Sequence, residues 1–186
     1  MTITILLIDD NRDQITITKK VLAKNYPEYH IEAAANAKEG LEKLSAGYYN
    51  IVLCDYRLPD VSGIEVLKQL KERGNDVPFI LVTSMGNERL AVEAMKVGAY
   101  DYVVKDASYE DLLPEVIRQS LEHYREKKRL ERLEVERKEA VDALEKEKMQ
   151  LEQMNKIMMD REERVLELKQ QVDALLEELG RPRQYS

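Results

Sequence analysis

From Leu121 to Leu179 the chain contains neither proline nor glycine, and apolar residues return at every seventh position. Leu130, Leu144, Leu151, Met158, Val165, Val172 and Leu179 form one row, with Arg137 as its one interruption. Three residues after these positions come Leu133, Ala140, Met154, Leu168 and Leu175, interrupted by Glu147 and Arg161. Alternating steps of three and four keep both rows on one stripe of an α-helix, the a/d register of a coiled coil. Gly180, Arg181 and Pro182 then stop the helix. Such a rod has no core of its own and needs another helix against its stripe. Val165 and Val172 at a, with Leu168 and Leu175 at d, favour a parallel dimer. The sequence leaves the antiparallel pairing open. The three charged interruptions cost stability in the seam and either set register or keep the middle loose.

The residues up to about Ser120 follow a different pattern. Short apolar runs alternate with amphipathic segments. The runs are Ile3–Ile8, His30–Ala34, Ile51–Cys54, Phe79–Val82 and Tyr102–Val104, partly β-branched and bounded by turn residues, as buried strands are. Between them, helical spacing links Ile15, Val21 and Leu22; Leu41 and Leu44; Ile64, Leu67 and Leu70; Leu90, Ala94 and Val97. Ser62 to Glu65 has the spacing of a capping box. Gly47, Gly74 and Gly98 each follow a helical segment, where a left-handed residue is expected to end it. Strands and helices alternating at this spacing predict an α/β fold, a parallel sheet with helices on both faces. Sites in such sheets form at the carboxyl ends of the strands.

Composition narrows the function. Charged residues make up 35% of the 186-residue chain and aromatics 6%, which suits a globular part joined to a long exposed helix. The net charge of -7 argues against a nucleic-acid surface. The basic run Arg125 to Arg129 invites a zipper-type DNA reader. However, residues 120–186 hold about 15 basic and about 17 acidic groups, so a solvated coiled-coil face is the better account. Cys54 stands alone, which excludes an intrachain disulfide. His30 and His123 have no partners at metal-ligand spacing. No stretch is apolar for long enough to cross a bilayer, and the first residues lack a signal-peptide pattern, so a cytoplasmic location is expected.

Four features fall at predicted strand ends. Asp9 and Asp10 follow the first strand, Asp55 the third, Thr83 ends the fourth and Lys105 the fifth. Converging strand ends would bring them into one pocket. Crowded carboxylates favour a hard cation such as Mg²⁺, and a lysine and a hydroxyl suit the oxygens of a phosphoryl group.

These residues carry a family resemblance. Ile8-Asp9-Asp10, the run Cys54-Asp55-Tyr56-Arg57-Leu58-Pro59-Asp60-Val61-Ser62-Gly63, Val82-Thr83-Ser84 and Tyr102-Val103-Val104-Lys105 resemble, in order, the motifs of the receiver domain of bacterial and archaeal response regulators. The resemblance spans Thr2 to about Ser120. It implies a flavodoxin-like doubly wound sheet of order 2-1-3-4-5, and it implies roles. Asp55 would be the phosphoacceptor, serving a histidine kinase in a two-component phosphorelay. Asp9, Asp10, Asp55 and the backbone carbonyl of Arg57 would hold Mg²⁺. Lys105 would pair with the phosphoryl group, Thr83 would move onto it, and Tyr102 would swing inward as Thr83 moves. Arg57 and Met85 stand at positions tied to the phosphoryl lifetime. One departure is that Asp106 follows Lys105 where the family usually has proline, so a trans bond is expected there.

The expected organisation is a receiver over residues 1–120, a coiled-coil helix continuous with its last helix over 121–180, and a tail over 181–186. The fifth receiver helix should begin near Ser108 or Pro114, with Pro114 in or close to its first turn. No output-domain signature follows. The expectation is a regulator that is not itself an enzyme, forms a homodimer through the coiled coil and passes its signal to a downstream protein. The alternatives are the receiver and linker part of a hybrid sensor kinase, or a receiver-like scaffold that never takes phosphate.

Overall fold

The computed structural model describes residues 3–84 and 86–185; Met85 lies outside them. Strands β1 (Ile3–Ile8), β2 (Tyr29–Ala34), β3 (Ile51–Asp55), β4 (Phe79–Thr83) and β5 (Asp101–Val104) alternate with helices α1 (Arg12–Asn25), α2 (Ala37–Ala46), α3 (Gly63–Glu72), α4 (Glu88–Val97) and α5 (Tyr109–Glu178). The strands are all parallel, in the order β2-β1-β3-β4-β5. This is the sheet expected from the sequence. Each predicted strand is present within a residue or so at its ends. Asp55 and Thr83 are the last residues of their strands, paired with Val82 and Val104 respectively.

The strands are apolar on both faces because both faces are covered. Leu6, Ile8, Val52, Cys54, Phe79 and Leu81 point to one side and pack with α2, α3 and α4 through Leu41, Leu67 and Ala94. Ile5, Leu7, Ile51, Leu53, Ile80 and Val82 point to the other and meet Leu22 of α1 and Leu113, Ile117 and Leu121 of α5. The period of two along each strand deals alternate residues to the two cores.

Helix ends follow local chemistry. The Asn11 side chain accepts from the N–H groups of Asp13 and Gln14, Asn36 from Glu39, Ser62 from Glu65 and Asn87 from Arg89. Gly74 and Gly98 have φ of 71° and 103°, the left-handed conformation expected of them. Gly47 does not: its φ of -137° and ψ of 170° are extended, because the chain turns there directly toward β3. Pro114 lies close to the first turn, as expected. α5 begins at Tyr109, which puts Pro114 in the second turn, buried on the helix face. Its missing N–H deprives only the Glu110 carbonyl of a helical partner, and the helix runs on.

The chain divides into two units, Met1–Lys128 and Arg129–Ser186. In the first, Asp76 ties the loop before β4 to α5. Its carboxylate receives Lys71 Nζ at 2.9 Å and Lys128 Nζ at 3.0 Å, with Lys127 Nζ at 3.6 Å. Burial alone would raise the Asp76 pKa, but the hydrogen bonds from Lys71 and Lys128 overcome it and hold it down to about 2. A lowered folded-state pKa gives stability that is fully present above the ordinary value of 3.8 and lost as pH falls toward about 2. Asp76→Asn is therefore expected to cost about 1 kcal/mol near neutral pH. In thermal melts the gap from the parent should close through that acid window; a gap independent of pH would refute the account. The second unit consists of the rest of α5 and a short tail, in which Arg183 meets Glu177 and the Tyr185 N–H meets Asp173.

Candidate functional site

Three strand ends meet around one ammonium group. Lys105 Nζ lies 2.7 Å from Asp9 Oδ2 and 2.6 Å from Asp55 Oδ1. These partners are 96 and 50 residues away in the chain. Asp9 is 2% exposed and Asp55 8%, so the lysine neutralises two carboxylates that are almost out of water. Each acid is also held by backbone. Asp9 Oδ1 accepts the Asn11 N–H at 2.9 Å and Asp55 Oδ2 accepts the Arg57 N–H at 3.0 Å. Lys105 is itself placed by its N–H, which donates to the Thr83 carbonyl at 2.7 Å. Among the described residues there is no cis peptide bond, so Lys105–Asp106 is trans, as expected without proline.

The electrostatics are balanced against the acids. Burial pushes the Asp55 carboxyl up; Lys105 pulls it down, Asp9 pushes it up again, and the net direction is up. Burial pulls Lys105 down, but hydrogen bonds to Asp55 and Asp9 outweigh it and raise it. Two carboxylates sharing one cation are short of positive charge.

The loop after Asp55 is built to hold it. The Gly63 N–H donates to the Tyr56 carbonyl at 2.9 Å, and Arg57 bridges to Ser62. Asp60, to which the sequence reading gave no role, accepts the N–H groups of Ala37 and Lys38 at the start of α2. Those bonds outweigh partial burial and lower its pKa. No local signal marked this role, because Ala37 and Lys38 lie 23 and 22 residues away in the chain. A methyl at Gly63 would stand 2.5 Å from the Asp55 carbonyl oxygen and 2.8 Å from Leu81 Cδ1. The first of these is backbone and cannot rotate away. Gly63→Ala should cost about 2 kcal/mol, within the range for overpacking. Denaturant midpoints measure it, and an unchanged midpoint would show that the loop yields freely.

Thr83 is 1% exposed at the end of β4, on the same face as Leu81. Tyr102 is half-buried, and its hydroxyl accepts the Asn87 N–H at 3.3 Å, in the loop leading to α4. Asp10 is exposed. Tyr109, at the start of α5, is 4% exposed and shares a 2.9 Å hydrogen bond with the Thr18 hydroxyl, fastening α1 to α5 beside the site. The sequence reading missed that pair; a tyrosine and a threonine 91 residues apart carry no local signal.

Residues 5–118 match the response regulator receiver domain family. The chain belongs to that family. Curated relatives include the transcriptional regulatory protein ZraR of Klebsiella oxytoca, 33% identical over 123 residues, covering 66% of this chain and 27% of that protein. The methanogenesis regulatory protein FilR1 of Methanothrix harundinacea is 31% identical over 129 residues, covering 67% and 29%. The chain thus spans little more than a quarter of these relatives. Among solved structures, the CheY-like receiver domain protein of Methanospirillum hungatei JF-1 superposes with a TM-score of 0.59 at 30% identity. That match covers 68% of this chain and 99% of the other. The receiver fold and its Asp9–Asp55–Lys105 cluster therefore belong to the first unit.

Among the described residues, no three His, Cys, Asp or Glu side chains stand close enough together to enclose a metal ion. Asp9 and Asp55 do converge, and Mg²⁺ is commonly held by one or two carboxylates with waters completing its shell. The hard oxygen donors of this receiver, already short of positive charge, fit that ion. No helix among the described residues is long and apolar enough to cross a membrane.

Proposed function

We propose that this receiver accepts a phosphoryl group on Asp55 from the phosphohistidine of a histidine kinase and signals through α5. The observation that supports this most directly is the position of Lys105 between Asp9 and Asp55. A carboxylate oxygen of Asp55 attacks phosphorus, the P–N bond to the donor imidazole breaks, and an acyl phosphate forms. Asp9, Asp55 and the Arg57 carbonyl would hold Mg²⁺, with the exposed Asp10 reaching the ion through a water of its shell. The ion would supply charge neutralisation for the phosphoryl oxygens. Lys105 would then exchange its contact with the Asp55 carboxylate for one with a phosphoryl oxygen. The chain acts as an acceptor of the group rather than a turnover catalyst.

Thr83 and Tyr102 are the proposed switch. Thr83 would turn its hydroxyl to the phosphoryl group, and Tyr102 would give up the Asn87 N–H and move into the space vacated. Phosphorylation adds contacts found in only one of two arrangements, so it shifts their populations. The output is a homodimeric coiled coil along α5, read by a downstream protein, in the cytoplasm. No nucleic-acid contact enters the proposal. Incubation with Mg²⁺ and a small phosphodonor, followed by intact-mass measurement, tests the chemistry. The expected result is one added phosphoryl group, mapped to Asp55. No mass gain under conditions that label related receivers would favour the scaffold reading instead.

A further inference from the structure

The seam of α5 is open to solvent. Leu144 is 65% exposed, Met154 57% and Leu168 52%. The tail does not cover it, because Arg183 and Tyr185 turn back onto Glu177, Asp173 and Lys169, which lie off the a and d rows. We propose that this seam binds the same seam of a second copy, parallel and in register, and that three charged layers specify the pairing. The proposal rests on the dimeric reading above and adds orientation and register to it.

In a parallel in-register pair, Arg137, Glu147 and Arg161 would each face its own counterpart, which by itself is repulsive. Knobs-into-holes packing brings in a further residue at each layer. A knob at a sits in a hole that includes the preceding g residue of the facing helix; a knob at d sits in one that includes the following e residue. For Arg137 that residue is Glu136, for Glu147 it is Lys148, and for Arg161 it is Glu162. Every interruption thus meets an opposite charge across the seam. Each layer holds two positive and two negative groups.

One such hole is visible in the single helix. A hollow of about 440 Å³ is lined by Met158, Arg161, Glu162, Val165, Leu166 and Lys169. Met158, Arg161, Glu162 and Val165 are the four residues that would receive the Arg161 side chain of a second copy. The glutamate is already at its edge.

Antiparallel pairings fare worse. The two registers that overlap the whole seam set Arg137 against Leu168 or Leu175, Glu147 against Met158 or Val165, and Arg161 against Leu144 or Leu151. A charge enclosed by apolar side chains is costly. A register that matches Arg137 with Glu147 brings Val165–Leu179 against residues 105–119 of the second copy, where Leu113 and Ile117 are already buried. One flanking pair opposes the parallel arrangement, since Arg164 would face Lys169. Arg164 leans instead toward Glu167 of its own helix, at 3.9 Å.

The test uses the full chain with Leu133→Cys or Leu175→Cys, oxidised under native conditions; the native Cys54 is buried and left in place. Both sites lie far from the centre of any antiparallel pair. In a parallel in-register dimer each should give a disulfide-linked homodimer, because facing d residues come within disulfide reach. Glu162→Arg should weaken the dimer about tenfold by sedimentation. The swap Arg161→Glu with Glu162→Arg should restore it, since the opposite charges again meet across the seam. A dimeric chain without either crosslink overturns the orientation and leaves the dimeric output standing. A trimer, or a Glu162→Arg variant that dimerises like the parent, overturns the charged-layer pairing. A chain that stays monomeric overturns the dimeric reading together with it.

Discussion

Replacing Asp55 with asparagine should abolish phosphoryl uptake and raise thermal stability at neutral pH. The first effect is chemical. The acceptor must be a carboxylate oxygen, and an amide oxygen in the same place is not a nucleophile toward phosphorus at ordinary pH. The Asn side chain still offers an oxygen to the Arg57 N–H, and Lys105 keeps Asp9, so the pocket should stay assembled. The second effect follows from linkage. The Asp55 pKa lies above its ordinary value of 3.8, chiefly because of burial. The folded state therefore holds that proton more tightly than the unfolded chain does. The stability this gives is fully present below 3.8 and is lost as pH rises through the folded value. At neutral pH the ionised carboxylate is a burden that asparagine does not carry. Melts across pH should show the variant gaining on the parent as pH rises from acid. Retained labelling would move the acceptor elsewhere, and equal melting at every pH would refute the electrostatic argument.

Lys105→Met should be the most destabilising single change in the site, by about 3 kcal/mol without metal. The lysine side chain is 9% exposed, and its two acid partners are 3% and 10% exposed. Removing it leaves two carboxylates facing each other with no cation between them. Methionine fills similar space, so the loss isolates charge from packing. Mg²⁺ should stabilise this variant more than the parent, because a divalent cation replaces the missing charge. The same variant should accept phosphate slowly, since no ammonium pairs with the transferred oxygens. Equilibrium unfolding with and without Mg²⁺ reads the first point. If Mg²⁺ shifted the two proteins equally, the ion would not be acting at Asp9 and Asp55.

Most of the fold was legible because its signals are local. Five apolar runs, each bounded by turn residues, gave the strands, and a sheet buried on both faces demands such runs. Gly74 and Gly98 marked helix ends through a conformation that suits glycine. Gly47 shows the limit of that rule, since a glycine after a helix is compatible with a left-handed stop and equally with an extended exit. Asn11, Asn36 and Asn87 were overlooked as caps although asparagine is a favoured N-cap residue. The start of α5 at Tyr109 falls near Ser108, as expected, and what holds that start is Tyr109 on Thr18, a contact from another helix.

By itself, the sequence determined which residues end each strand and that a long stripe of apolar residues must find a partner. Spacing carries both facts, and spacing is a property of the chain alone. Only the tertiary structure decided that Lys105 stands between Asp9 and Asp55, that Asp60 caps α2, and that Asp76 holds α5 through Lys128. Those contacts join segments distant in sequence, and a parallel sheet brings them together through crossover connections that local periodicity does not encode.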